Sequence, residues 1–276
     1  MTTPALSSSA LPVVVFDSGI GGLSVLRALR RTLPGQTFIY LADGAASPYG
    51  ERDAGFVRHR VLTLLEALLR TTGPTAAIVL ACNTATALAI ADVRTTWASL
   101  PVVGIEPALK PAVTQSRTRH IGVLATRGTL QSEKFRALRA SMEPQAQFVC
   151  QAADGLAAAV DRADAMEIRA LCAHHICAMG QFGIEDGAID TLVLGCTHYP
   201  LVSDVLQGLV GPTVSLLDPA DAVARQTARL LAESAPVPPT MNPVSDAWYC
   251  TGNPVPLAQA TLRWLNVEAK VSTLSV

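Results

Sequence analysis

Apolar residues in this chain fall into two patterns. Short unbroken runs rich in Val, Ile and Leu occur at VVVF (13–16), TFIYLA (37–42), AAIVLA (76–81), HIGVLA (120–125) and IDTLVLG (189–195). Runs with no polar alternation predict strands buried on both faces, as in parallel sheets covered by helices. Between them the spacing changes to that of a helix. From Gly22 to Leu33, the residues Leu23, Leu26, Leu29 and Leu33 form one stripe, with Arg27, Arg30 and Arg31 elsewhere. Residues 56–69 and 129–142 repeat this period, and 257–265 predicts a short amphipathic helix. The fold class that follows is α/β: two similar domains, each a mostly parallel sheet flanked by helices, with the active site in the cleft between them.

The two halves resemble one another. VVVFDSGIGGLSVLRAL (13–29) matches IGVLATRGTLQSEKFRAL (121–138), and AAIVLACNTATALAI (76–90) matches DTLVLGCTHYPLVSDV (190–205). In the second pair Cys82 and Cys196 align, each closing a strand and opening a helix. The expected domains are 1–104 plus 220–276, and 105–219. The Pro-rich segment 235–243 reads as a linker or surface loop, and the strand expected at DAWYC returns to the first domain. Ligands of open α/β sheets bind outside the carboxyl ends of the strands. Two such sheets facing each other place both cysteines in one cleft.

Composition narrows the partners. The chain has 276 residues, half of them hydrophobic, and a formal net charge of -1. With no basic run beyond Arg30-Arg31, nothing attracts nucleic acid or an anionic membrane, and a small molecule is the expected partner. The start MTTPALSSSALP has no positive charge ahead of an apolar run, so it does not read as a signal peptide. The longest apolar stretch, 76–91, is broken by Cys82-Asn83-Thr84 and falls short of the roughly 20 residues of a bilayer span. A soluble, cytoplasmic protein with free thiols is expected.

Two facing thiols suit one chemistry. Removing a proton from carbon needs a positioned base, and inverting the centre needs an acid on the other face. A thiol with an ordinary pKa of about 8.5 serves in either state, and a helix N-terminus favours its anion. Asn83 and Thr84 follow the first cysteine and Thr197 and His198 the second, supplying amide, hydroxyl and N–H groups for a carboxylate. A single such cysteine would more often be a core residue. Two at matching strand ends, each with polar neighbours, favour function.

The segments FDSGIGGLSVL (16–26), YLAD with PYG (40–43 and 48–50), ACNTAT (81–86), IGVLATRGTL (121–130) and LGCTHYPL (194–201) resemble the signature segments of glutamate racemases, in that family's order. The resemblance implies racemisation of L- and D-glutamate by two bases, with no cofactor and no metal. It implies that Cys82 takes the proton from D-glutamate and Cys196 from L-glutamate, with Asp17 and His198 as helpers beside them. It also implies substrate binding by Asp17, Ser18, Pro48, Tyr49, Gly50, Asn83, Thr84, Thr126, Thr129, Thr197 and His198. A homodimer and a supply of D-glutamate to bacterial peptidoglycan follow from the same resemblance. The chain departs from the family where a second-domain glutamate is usual. LAAAVDRAD (156–164) offers Asp161, one methylene shorter, with Asp154 as the weaker candidate. Residues 44–47, GAAS, are smaller than the family's, and a more open loop before Pro48 is expected.

Other readings compete. Gly19-Ile20-Gly21-Gly22, with Asp43 after the next strand, imitates a dinucleotide fingerprint, but Ser24 replaces the third glycine and Asp17 stands where phosphate would sit. A nicotinamide-dependent dehydrogenase is therefore the runner-up, and it leaves the paired cysteines unexplained. A two-domain binding module without turnover ranks third. Aspartate racemase, hydantoin racemase and arylmalonate decarboxylase share the scaffold, but a decarboxylase needs only one cysteine, and aspartate racemases lack the GCTHYP pattern. In 172–177, Cys172 with His175 or His174 with Cys177 could share a helix face toward zinc. The favoured reading there is a helix with buried cysteines and half-exposed histidines. Cys150 and Cys250 are expected to end strands without polar companions and to have no role.

Overall fold

The apolar runs become strands almost where their hydrophobicity places them. The computed structural model describes residues 11–233 and 245–275. The strands are β1 (Val13–Asp17), β2 (Phe38–Ala42), β3 (Ala77–Leu80), β4 (Val102–Gly104), β5 (His120–Ala125), β6 (Gln147–Ala152), β7 (Thr191–Gly195), β8 (Ser215–Leu217), β9 (Ala247–Cys250) and β10 (Val271–Thr273). The helices are α1 (Leu23–Thr32), α2 (Ala54–Thr72), α3 (Asn83–Thr96), α4 (Leu109–Gln115), α5 (Arg127–Gln131), α6 (Glu133–Met142), α7 (Leu156–Asp161), α8 (Ala165–Cys177), α9 (Ser203–Val210), α10 (Ala220–Glu233) and α11 (Val255–Leu265).

The strands form two parallel sheets, ordered β10-β9-β2-β1-β3-β4 and β6-β5-β7-β8. The orders β2-β1-β3-β4 and β6-β5-β7-β8 are the same, so β3 and β7 occupy equivalent places, and so do β1 and β5. Strand DAWYC pairs with β2 in the first sheet, as expected. Every strand residue of β1, β3 and β7 is buried, because helices cover both faces. Alternate residues go to different layers. Val13, Val15 and Val79 join Leu124, Leu192 and Leu194 in an apolar cluster reaching from one sheet to the other. Val14, Phe16 and Leu80 pack against α2 and α3 residues such as Leu64, Leu65 and Ala89 on the opposite face.

Several details differ from the periodicity. The stretch 129–142 is two helices: Ser132 is extended, and its hydroxyl accepts from Phe135 N at 3.1 Å, capping α6 where α5 stops. Hydrophobic spacing survives such a break, so it cannot reveal one. Strands β4, β6, β8 and β10 are short or carry polar residues at sheet margins, where a buried run is not required. The linker reading of 235–243 and the reading of the first residues lie largely outside the described residues. No helix among the described residues is long and apolar enough to cross a membrane.

Candidate active site

Three strand ends converge on one small space. The turn after β1 is built around Asp17, whose side chain is fully buried. Its Oδ2 accepts from Gly19 N and Gly22 N, both at 3.0 Å, and its Oδ1 from Thr197 Oγ1 at 3.4 Å. Burial raises the Asp17 carboxyl above its ordinary value, while His198 and the two glycine N–H groups pull the other way. Glycine is needed for close approach at Gly21, where a Cβ would stand 2.4 Å from His198 Nδ1 and 2.7 Å from His198 N.

Cys82 follows β3 and caps α3, its sulfur accepting from Ala85 N at 3.4 Å. Ser18 Oγ lies 3.6 Å from the same sulfur. Burial, reinforced by the negative charge of Asp17, pushes the thiol up to about 12, against the pull of Ala85 N–H and Ser18. The Cys82 side therefore rests as a thiol. The two side-chain polar atoms of the neighbouring Asn83 are buried and have no hydrogen-bond partner.

Cys196 follows β7 at the equivalent place. His198 Nδ1 lies 3.6 Å from its sulfur, and His198 Nε2 lies 2.9 Å from Asp161 Oδ1. Burial alone would disfavour the imidazolium, but Asp161 and Cys196 outweigh it and hold His198 well above its ordinary value. Burial likewise acts against the Asp161 carboxylate, yet His198, Ser47 and Ile20 N–H hold its pKa below the usual one. With the imidazole charged, both ring nitrogens donate, one to Asp161 and one toward Cys196.

Both thiols line one pocket together with Ser18, Pro48, Tyr49, Gly50, Asn83, Thr84, Thr126, Ala157, Thr197 and His198. Most residues expected from the sequence to bind substrate are thus brought together. Asp17, Asp161 and Thr129 are set back: Thr129 supports the wall, its hydroxyl 2.9 Å from that of Thr126, which is itself 2.9 Å from that of Thr84. Sequence reading missed Ala157 and Ser47. Ser47 Oγ donates to Asp161 Oδ2 at 2.7 Å. No local pattern marks it, because its partner lies on another sheet's helix. The 44–47 segment is not uniformly open either, since Ala46 is buried in the core. Between the two aspartates the geometry is plain: Asp154 pairs with Arg127 at the surface, while Asp161 meets His198.

Comparison with known proteins gives the family. The Asp/Glu/Hydantoin racemase family matches residues 21–227. A glutamate racemase of Cupriavidus pinatubonensis is 41% identical over 96% of this chain and 95% of its own. The chain belongs to the glutamate racemase family. Another member, from Ectopseudomonas mendocina, is 44% identical over 83% of this chain and 85% of its own. The crystal structure of the Escherichia coli glutamate racemase, in complex with L-glutamate and the activator UDP-MurNAc-ala, superposes with a TM-score of 0.83 at 30% identity, covering 96% of this chain and 99% of that one.

Competing features have ordinary explanations within this racemase fold. The N–H groups of Gly19 and Gly22, which a dinucleotide would need for its phosphates, are spent on Asp17. Asp43, the candidate ribose ligand, is fully buried and holds Arg60 through two bonds of 2.9 Å, Tyr49 OH at 2.7 Å and the Thr251 hydroxyl. On α8, Cys172 and His175 are buried whereas Cys177 and His174 are exposed, which corrects the expected division by residue type, since residues three apart share a face. His175 is held by Gln151 at 3.2 Å and the Asp154 carbonyl at 3.1 Å. Among the described residues, no three or more His, Cys, Asp or Glu side chains are grouped to hold a metal ion. Cys150 lies within β6 rather than at its end, and does have a polar companion, Arg139 Nη1 at 3.9 Å. Cys250 ends β9 as expected, its sulfur 3.9 Å from the Gly252 carbonyl. All six cysteines are unbridged.

Proposed function

We propose that this protein interconverts L- and D-glutamate by moving one proton between the α-carbon and two thiols, Cys82 and Cys196, on opposite faces of the substrate. The observation that carries the reading is the placement of both sulfurs against one cavity from equivalent strand ends. The substrate carboxylate sits at the start of α3, where Asn83 and Thr84 present N–H groups that no helical carbonyl can satisfy and the helix dipole favours negative charge. The unpaired amide of Asn83 is matched to a ligand with both donors and acceptors.

From L-glutamate, Cys196 takes the α-proton: the Cα–H bond breaks, an S–H bond forms, and the electron pair delocalises into the carboxylate. Cys82 then delivers its own proton to the other face, giving D-glutamate and a Cys82 thiolate. The reverse direction exchanges these roles. His198 holds the Cys196 anion, and Asp161 holds His198. The α-ammonium of the substrate, placed near Cys82 and Asp17, offsets the burial that raises both groups. We infer also that residues 1–104 with 220–276 and residues 105–219 are the two domains of the cleft. The remaining inferences are homodimeric assembly, a cytoplasmic location, and use of the D-glutamate for peptidoglycan. They rest on the family resemblance.

Incubating purified protein with L-glutamate in deuterated water, with nothing else added, tests the reading. D-Glutamate carrying deuterium at the α-carbon is expected. If neither isotope incorporation nor the opposite enantiomer is found from neutral to mildly alkaline pH, the reading is overturned.

A further inference from the structure

Asp161 is the point where the two sheets' loops meet behind Cys196. Its Oδ1 accepts from His198 Nε2 at 2.9 Å and from Ile20 N at 3.3 Å, and its Oδ2 accepts from Ser47 Oγ at 2.7 Å. His198 follows β7 of the second sheet, whereas Ile20 and Ser47 follow β1 and β2 of the first. The carboxylate is also pressed against Gly19, where a Cβ would stand 2.8 and 2.9 Å from its oxygens and 3.0 Å from Ser47 Oγ. The cradle is therefore fitted to a short carboxylate arm with a hydroxyl against its outer oxygen.

We propose that Ser47 is a positioning residue that clasps Asp161 across the cleft, so that the chain Cys196–His198–Asp161 is completed only when the turn carrying Ser47 rests on α7. The proposal rests on the role given above to that chain. Ser47 touches neither thiol and belongs to no part of the substrate cavity. Its effect passes through a carboxylate that one bond from His198 alone would leave free to rotate about its side-chain torsions. With Oδ2 held by Ser47 and Oδ1 by Ile20 N–H, the carboxylate is fixed in the plane that meets Nε2. A part-buried carboxylate with an unpartnered oxygen is otherwise disfavoured, and it would turn toward solvent. The same contact joins the halves: separating them removes both first-half donors at once.

The test compares Ser47→Ala, Ser47→Thr, Asp161→Asn and the Ser47→Ala/Asp161→Asn double variant, with kcat and KM measured from each enantiomer and folding checked by thermal unfolding. Loss of a hydrogen bond to a charged group predicts that Ser47→Ala lowers kcat about ten-fold or more, with KM little changed. Ser47→Thr, which keeps the hydroxyl, is expected to recover most of this. In the Asp161→Asn background, Ser47→Ala is expected to have little further effect, because both changes act on one bond. Wild-type kcat in Ser47→Ala alongside an impaired Asp161→Asn would overturn the clasp and leave the acid chain standing. Wild-type kcat in Asp161→Asn would overturn the acid chain, and the clasp with it. Full additivity in the double variant, or a Thr variant as poor as the Ala variant, would mean that Ser47 only packs the loop, and would also overturn the proposal.

Discussion

The two thiols stand in unlike surroundings although they close equivalent strands. Cys82 is held protonated by burial and by Asp17, and it is touched by a serine hydroxyl and a backbone N–H. Cys196 faces an imidazole backed by a carboxylate. On the proposed mechanism, one side carries the proton to be given and the other is equipped to receive one. Replacing either thiol by a hydroxyl removes a base that works near neutral pH, and removing a positioned acid–base group predicts losses of about 10²–10⁴-fold or more. Cys82→Ser and Cys196→Ser should lower kcat/KM equally in both directions, because the two enantiomers are equal in free energy. They should differ in isotope exchange: Cys82→Ser should still wash deuterium into L-glutamate without inverting it, and Cys196→Ser should do so with D-glutamate. The opposite pattern would reverse the assignment of faces. Residue identity made the two cysteines legible in the sequence, since each is flanked by polar groups out of place in a core. The partner of His198 was only half legible, because Asp154 and Asp161 sit in the same stretch and only the turn of α7 tells them apart.

At the scale of elements, the site is made by how strands hand over to helices. β1 ends in Asp17, and the turn that follows folds back on the carboxylate through two N–H groups, leaving Gly21 against His198 from the other sheet. Gly21→Ala should drive that histidine off the Cys196 sulfur. Overpacking of a filled site typically costs about 1–3 kcal/mol, so both the melting temperature and kcat/KM should fall, the activity by about ten-fold or more. An active Gly21→Ala enzyme would show that the turn is free to shift. The periodic segments α1 and α2 and the strands β1, β2, β3, β5 and β7 were readable, because full burial on two faces demands unbroken apolar runs. The break at Ser132 and the marginal strands β4, β8 and β10 were not. A capped kink leaves the hydrophobic period intact, and an edge strand needs no apolar signature.

For the whole molecule, the consequence of two equivalent sheets is that a ligand between them touches both. The hydroxyls of Thr84 on α3 and Thr126 before α5 meet at 2.9 Å in the pocket wall, and Ser24 Oγ donates to the Thr197 carbonyl at 3.2 Å. Glutamate should therefore stabilise the entire chain rather than one sheet, by about 2.7 kcal/mol at a hundred times its Kd. Thermal unfolding should shift upward with either enantiomer, and backbone hydrogen exchange should slow at the starts of both α3 and α5. Protection confined to one half would argue against a shared cleft.

By itself the sequence determined the α/β class, the likeness of the two halves and the pair of thiols. These depend on which residues must be apolar and which reactive groups break those runs, and both are properties of neighbours along the chain. Tertiary structure alone decided that Ser47 reaches Asp161, that Asp17 absorbs the glycine N–H groups a phosphate would need, and that Asp161, the first choice from the sequence, contacts His198. Those contacts join residues far apart in the chain, and their existence depends on the handover angle of each strand to its helix and on the packing of one sheet's loops against the other's. A hydrophobic pattern specifies which face is buried, not which side chain on the opposite half it will meet.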